Sequence, residues 1–252
     1  MKSVPVEEIF SSVQGEGPWV GQRHIFVRFK GCDIRCRYCD TPAAASQGNT
    51  ISAADNACRV QLSASSLSRE QVACFLSTEQ LTEYCSRLVI PGPSLPILSL
   101  TGGEPLIHRE FLLHWLPVLR GRFAIYLETN GIRHEDMGAL RALVDIISMD
   151  FKLPSATGLK PFWEEHRQFL MAAAGRSLFV KAVVTGDTVR DDILVSARII
   201  AESDGSIPLI LQPASGPLAP GPALLVEFQN SALSLLQDVR VIPQAHKILS
   251  LP

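Results

Sequence analysis

Runs of apolar, β-branched residues alternate along the chain with stretches of helical periodicity, and no other feature narrows the possible folds as far. The runs fall at 25–29, 97–100, 123–127, 144–149, 178–184 and 209–211. Helical patterns occupy 69–88, 109–119, 135–143, 161–174, 189–203 and 223–236. A parallel neighbour can be reached only by a crossover, usually a helix, so this alternation predicts parallel β/α units. Six runs are too few for a closed TIM-type barrel, which predicts an α/β fold with a partial barrel. A chain of 252 residues, 46% of them hydrophobic, suits one domain spanning 1–252 with a large core. An Ala/Ser-rich segment at about 42–68 reads as an insertion in that domain.

Each run hands over to residues that carry chemistry. A cysteine loop follows the first run, Thr101-Gly102-Gly103-Glu104-Pro105 the second and Glu128-Thr129-Asn130-Gly131 the third. Ser148-Met149-Asp150-Phe151-Lys152 closes the fourth, Thr185-Gly186-Asp187 follows the fifth, and Gln212-Pro213-Ala214-Ser215 the sixth. All six therefore fall at the carboxyl ends of parallel strands, the rim on which α/β folds bind ligands.

In the first of these loops Cys32, Cys36 and Cys39 stand at the spacing C-x3-C-x2-C. Three thiolates this close can turn toward one point and suit a soft metal. On a cubane iron–sulfur cluster they would leave one iron open, and an open metal position is where a small molecule binds and reacts. A zinc site with His24 or Asp40 as fourth ligand is the alternative. Glu7 and Glu8 lie where a signal peptide needs its apolar segment, and no apolar run reaches the length of a membrane span. The expected location is the cytoplasm, where a disulfide framework is not expected. Cys74 and Cys85 read as core or half-buried thiols, and nothing recommends Cys58 as a ligand. A net charge of −2 gives no electrostatic footprint for nucleic acid or an anionic membrane.

Three further motifs admit two readings each. The Gly-Gly pair of 101–105 makes either a tight turn before the next helix or a close backbone approach to a ligand. Asp40-Thr41 serves either as a helix cap or, through the Thr41 hydroxyl, as an oxygen ligand for Mg²⁺. Gln14-Gly15-Glu16-Gly17 makes either a turn entering the first run or a loop reading the N–H edge of a guanine-like ring.

The cysteine spacing and the Gly-Gly-Glu-Pro sequence resemble those of the radical S-adenosylmethionine (SAM) superfamily. Adding Gln14-Gly15-Glu16-Gly17, Arg28 and Asp40-Thr41, the chain resembles the 7-carboxy-7-deazaguanine synthase family from about Phe10 to Pro252. The resemblance implies a homodimer with a partial (β6/α3)-type barrel. It also implies a carbon–nitrogen lyase that converts 6-carboxy-5,6,7,8-tetrahydropterin to 7-carboxy-7-deazaguanine, losing ammonia, in queuosine and 7-deazapurine biosynthesis. The implied cofactors are a [4Fe-4S] cluster, SAM and Mg²⁺, with an electron donor such as flavodoxin or ferredoxin as partner. Position by position, Cys32, Cys36 and Cys39 would hold the cluster and Thr41 the Mg²⁺. Tyr38, Cys39, Asp40, Gly103, Glu104, Ser148, Met149, Asp150, Gln212, Pro213, Ala214 and Ser215 would surround SAM. Val13, Gln14, Gly15, Glu16, Arg28, Thr101, His246 and the carboxylate of Pro252 would address the pterin. No side chain is assigned as a general base. The stretch from Thr41 to Thr101 is longer than the family's usual one. Ser148 to Lys152 stand where many members have a shorter Ser-Pro-Lys. A glycyl-radical-enzyme activase shares the cysteine and Gly-Gly-Glu-Pro motifs, but the Gln14–Gly17 loop and Asp40-Thr41 argue against it. Ile248, Leu249 and Leu251 are expected to tie down the last segment by burying their side chains.

Overall fold

A computed structural model describes residues 3–39 and 56–252. The chain opens with a hairpin, β1 (Ser3–Val13) and β2 (Arg23–Phe29), followed by β3 (Ala57–Ser63), β4 (Ser66–Ala73), β5 (Phe75–Ser77) and α1 (Thr78–Arg87). Strands and helices then alternate: β6 (Ile97–Gly102), α2 (Arg109–Leu119), β7 (Ala124–Thr129), α3 (His134–Leu140) and β8 (Ile146–Phe151). Next come α4 (Pro154–Thr157), α5 (Trp163–Ala173), β9 (Ser177–Val184), α6 (Arg190–Asp204) and β10 (Leu209–Pro213). The last elements are α7 (Pro222–Leu233), β11 (Val239–Val241) and α8 (Ala245–Ile248). The sheet runs β11-β10-β9-β8-β7-β6-β2-β1-β3-β4, with β5 paired to β1. From β2 through β6 to β11 every pairing is parallel. The six expected strands are thus β2 and β6 to β10, contiguous in one open, partial barrel, and β11 adds a short seventh.

Two expectations need correcting. Residues 69–88 are helical only in α1; the first part belongs to β4, paired antiparallel with β3. The helix starts where its cap allows: the Ser77 side chain accepts from the Gln80 N–H, and the Gln80 side chain accepts from the Ser77 N–H. Within the Ala/Ser-rich segment, the described residues are ordered into β3 and the start of β4. Cys58 and Val60 point into the core while Arg59 is exposed on the other face. Strand β1, which no run in the sequence reading covers, pairs with β2, β3 and β5 at once.

The second correction concerns the last segment. Ile248 and Leu249 are 72% and 59% exposed and only Leu251 is half-buried, so side-chain burial does little to hold it. Backbone bonds hold it instead: the Ala245 N–H donates to the Gly15 carbonyl at 2.8 Å, and the Leu251 N–H to the His246 carbonyl at 2.9 Å. Gln244 adds a side-chain bond to Glu16 at 2.8 Å.

The period-2 rule of strands places the site. On the concave face, Tyr126, Ile146, Phe179 and Ile210 form a separate apolar cluster, joined by Trp19, Ile97 and Ile242. Two residues further along the same strands stand Glu128, Ser148, Lys181 and Gln212. Each strand therefore supplies first a piece of apolar floor and then a polar group above it. The opposite face packs against the helices in the main core, which contains Phe29, Leu98, Leu127, Ile147, Val180 and Leu211 among others. Burying each such side chain contributes roughly 1.5–3 kcal/mol.

Candidate active site

Above the floor lie two adjoining cavities, of about 240 Å³ and about 90 Å³. They share Glu16, Arg28, Thr101 and Glu128 as common wall.

The larger cavity is walled on one side by Cys32, Cys36, Tyr38 and Cys39. What fixes this loop is mostly backbone. A Cβ on Gly103 would lie 1.8 Å from the Gly31 carbonyl oxygen, so only glycine lets the turn after β6 dock on the start of the loop. The docking is sealed by the Glu104 N–H donating to Gly31 O at 2.9 Å and the Gly103 N–H to Phe29 O at 3.2 Å. Further on, the Arg37 N–H donates to Thr157 O at 2.9 Å, and Asn130 Nδ2 donates to Asp33 at 2.8 Å.

Glu104 is fully buried behind this wall rather than on it. Its carboxylate accepts from the Leu106 N–H, the Thr129 hydroxyl and the Asn130 N–H, tying the turn after β6 to the turn after β7. Burial pushes its pKa up to about 7 against those hydrogen bonds. Met149 is likewise buried in the main core, and Pro213 is not part of the cavity wall. The remaining described residues expected around SAM, namely Tyr38, Cys39, Gly103, Ser148, Asp150, Gln212, Ala214 and Ser215, all line the larger cavity. Asp40 and Thr41 lie outside the described residues.

The donor chemistry fits a thiolate-bound cluster with a chelating ligand. Burial pushes the Cys32 thiol up to about 12 and raises Cys36 as well, and the charge of a metal works in the opposite direction, favouring the thiolates. Among the described residues, no three His, Cys, Asp or Glu side chains are already gathered closely enough to hold a metal ion. Across the cavity, Asp150 Oδ1 and Gln212 Oε1 are buried without a hydrogen-bond partner among the described residues. Two unsatisfied acceptors in one cavity call for a ligand with N–H or O–H donors.

Two buried lysines, Lys152 and Lys181, flank Asp150, at 3.0 and 3.5 Å. Lys181 also pairs with Glu16 at 2.5 Å. Burial alone would lower the pKa of both lysines; the neighbouring anions outweigh it and hold them charged. The same pairing works in reverse on Glu16: burial opposes ionisation, and Lys181, with help from Gln244 and His246, overcomes it. Glu128 accepts from Gln14 Nε2 at 3.0 Å and from the Thr101 hydroxyl at 2.7 Å.

The smaller cavity is lined by Val13, Gln14, Gly15, Glu16, Arg28, Thr101, His246 and Pro252, the whole set expected around the pterin. Phe10, Phe26 and Glu128 complete it. Phe10 and Phe26 stack at 5.0 Å with 12° between their planes. A Cβ on Gly15 would lie 2.1 Å from the His246 ring, so the glycine lets the last segment close against the β1–β2 turn.

The sequence matches the radical SAM superfamily over residues 26–177. A 7-carboxy-7-deazaguanine synthase from Geobacter sulfurreducens is 39% identical, over 97% of this chain and 96% of the relative. One from Methanothermobacter thermautotrophicus is 32% identical, over 98% and 97%. The chain belongs to the 7-carboxy-7-deazaguanine synthase family of radical SAM enzymes. Its fold is also that of QueE from Escherichia coli, whose crystal structure superposes with a TM-score of 0.61 at 21% identity, covering 97% of this chain and 95% of that one.

As a member of this family the chain carries wall residues that sequence reasoning passed over. Glu128 was visible as part of a rim motif but received no role, and Lys152 was left without one. Lys181 was missed outright. Its signal was a lone cation at the centre of the apolar run 178–184, where a buried charge needs a partner. Phe10 and Phe26 carried no signal beyond ordinary strand hydrophobicity. No described helix is long and apolar enough to cross a membrane.

Proposed function

We propose that the chain, acting as one domain, converts 6-carboxy-5,6,7,8-tetrahydropterin to 7-carboxy-7-deazaguanine with loss of ammonia. The observation that carries this reading is the joined pair of cavities, one walled by the three cysteines and the other by the Gln14–Glu16 turn and the last segment. When bound, a [4Fe-4S] cluster on Cys32, Cys36 and Cys39 together with SAM supplies a radical able to remove a hydrogen atom from carbon. What the protein adds is position. Tyr38, Ser148, Asp150, Gln212, Ala214 and Ser215 hold SAM, with Asp150 Oδ1 and Gln212 Oε1 as the open acceptors. Arg28 offers its guanidinium to the substrate carboxylate. Gln14 and Glu16 face the N–H edge of the ring, and Glu16 stays ionised there because Lys181 faces it. Phe10 and Phe26 give the ring an apolar side. Thr41 supplies a neutral oxygen ligand to Mg²⁺, and a small acidic electron carrier such as a flavodoxin or ferredoxin supplies the reducing electron. The working unit is a homodimer in the cytoplasm.

The test is anaerobic. Reconstituted, brown protein is incubated with SAM, a reductant, Mg²⁺ and the carboxytetrahydropterin, and products are resolved by mass. The expected result is 7-carboxy-7-deazaguanine with one equivalent of ammonia. SAM cleavage with no change in the pterin would sink the proposal.

A further inference from the structure

We propose that Arg69, on the β3–β4 hairpin, is a positioning residue for the substrate carboxylate and acts on Arg28 through Glu8 and Phe10. The inference rests on the substrate reading above. Strands β2, β1, β3 and β4 are neighbours in that order, and Glu8 sits opposite both Arg28 and Arg59 in register. Glu8 is only 8% exposed, yet three arginines converge on it. Arg28 Nε donates to Oε1 at 2.9 Å, while Arg69 Nη1 and Arg59 Nη2 donate to Oε2 at 2.8 and 3.3 Å. Arg28 and Arg69 also both lie over the Phe10 ring, at 6.0 and 5.5 Å from its centroid. Arg69 thus touches both groups that touch Arg28.

The charge count gives this arrangement a direction. Beside Glu8, Glu7 takes Lys30 at 3.0 Å and Arg59 at 3.2 Å, so four cations share two carboxylates. Of the three arginines on Glu8, only Arg28 lines the cavities. Its Nε is committed to Glu8, while its two Nη groups make no hydrogen bond to the described residues. A carboxylate arriving in the smaller cavity finds a cation whose stem is fixed and whose fork no described residue holds by a hydrogen bond. Without Arg69, Glu8 Oε2 keeps only the longer contact from Arg59, which Glu7 shares. The half-satisfied, buried Glu8 then competes with the substrate for the Arg28 fork. Loss of Arg69 also removes a positive charge near the site, which weakens anion binding in the same direction. Both effects act on substrate binding and neither touches the reacting atoms.

The experiment uses the full-length reconstituted enzyme at saturating SAM. KM and kcat are measured for the carboxytetrahydropterin, and its Kd by calorimetry. Arg69→Met is expected to raise KM and Kd roughly tenfold, the loss of one charge-assisted contact, with kcat within about twofold. Arg69→Lys, which keeps the charge and the stem, should recover a large part of the loss. In a Glu8→Gln background the Arg69→Met effect should shrink, because its route to Arg28 is gone. Unchanged KM and Kd in Arg69→Met would overturn the proposal. So would a fall in kcat and melting temperature that Arg69→Lys does not rescue, since that pattern marks a purely structural side chain. If the wild-type enzyme itself neither binds nor converts the pterin, the substrate reading fails and takes this inference with it, an outcome distinct from a variant that behaves like wild type.

Discussion

The two cavities are built by different means. The cysteine side is held mostly by main-chain contacts between loops that follow neighbouring strands, Gly103 against Gly31 foremost, and the Glu104 carboxylate that bridges two turns is its one buried side-chain anchor named above. The smaller cavity, the side proposed for the pterin, is held by side chains drawn from distant parts of the chain: Gln14 to Glu128, Lys181 to Glu16, Gln244 to Glu16. A main-chain joint tolerates no added atom but is indifferent to charge. A side-chain joint tolerates reshaping but fails when one ion loses its partner. The two halves should therefore break under different substitutions.

The largest effect is expected on the cysteine side. Replacing Cys32, Cys36 or Cys39 by Ala should abolish iron binding and SAM cleavage, whereas Ala at Cys58, Cys74 or Cys85 should leave the iron content intact. Iron assay and visible absorption decide this, and equal iron loss in either set would end the distinction. Next is Gly103→Ala. The added Cβ meets a carbonyl oxygen, so the loop must shift, at a cost of about 1–3 kcal/mol for overpacking. Iron per chain should fall while the Kd for the pterin changes little, which would show that the two sides fail separately.

On the pterin side, Lys181→Met strands Glu16 beside an apolar side chain, while Asp150 keeps Lys152 at 3.0 Å. Breaking a buried pair in this way costs about 3–5 kcal/mol of stability, and adding Glu16→Gln should return a good part of it. The pairing also sets an acid limb. Burial works to raise the Glu16 pKa, but Lys181 brings it down from 4.5 to about 2. The resulting stability is present in full above 4.5 and is lost as pH falls toward that lower value. Denaturant titrations between these limits should show a shallower pH slope in Glu16→Gln than in wild type; an unchanged slope would remove Glu16 from the account. The smallest effects separate the means of attachment of the last segment. Ile248→Ser and Leu249→Ser should shift stability by no more than about 0.5 kcal/mol, as exposed sites do. Gln244→Ala, which gives up the bonds to Glu16 and Ser215, should raise the pterin KM several-fold. The reverse ranking would mean that the exposed side chains are buried in the working enzyme.

The same contrast explains what the sequence made legible. Parallel strands in the middle of a sheet read as largely apolar runs, so β2 and β6 to β10 are legible, whereas the short edge strand β11 gives no such run. Strands β1, β3 and β4 lie on the mixed side of the sheet, where β1–β2 and β3–β4 are antiparallel and β1–β3 parallel; they mix polar with apolar positions, and the sequence reading leaves them out or merges them into a helix. The cysteine half was readable because its ligands are contiguous. In the pterin half, Gln14 and His246 are near neighbours across nearly the whole length of the chain, and only the family resemblance joined them. Lys181 is half legible: its place in the apolar run 178–184 marks a buried charge in need of a partner, but nothing local names Glu16 as that partner. Gly103 was legible as a glycine required by close approach, but the sequence could not say that the partner is another loop.

The apolar floor and the polar groups above it occupy alternate positions of the same four strands. Slipping any one of β7 to β10 by a single residue against its neighbours would turn both sets to the other face together, sending Glu128, Ser148, Lys181 or Gln212 into the helix-packed core with the floor residue beside it, and bringing a core residue such as Leu127, Ile147, Val180 or Leu211 into the chamber. A misregistered chain would thus bury a charge or a bare amide and be rejected on stability alone. Quality control of folding and assembly of the reaction chamber are, in this barrel, one and the same selection.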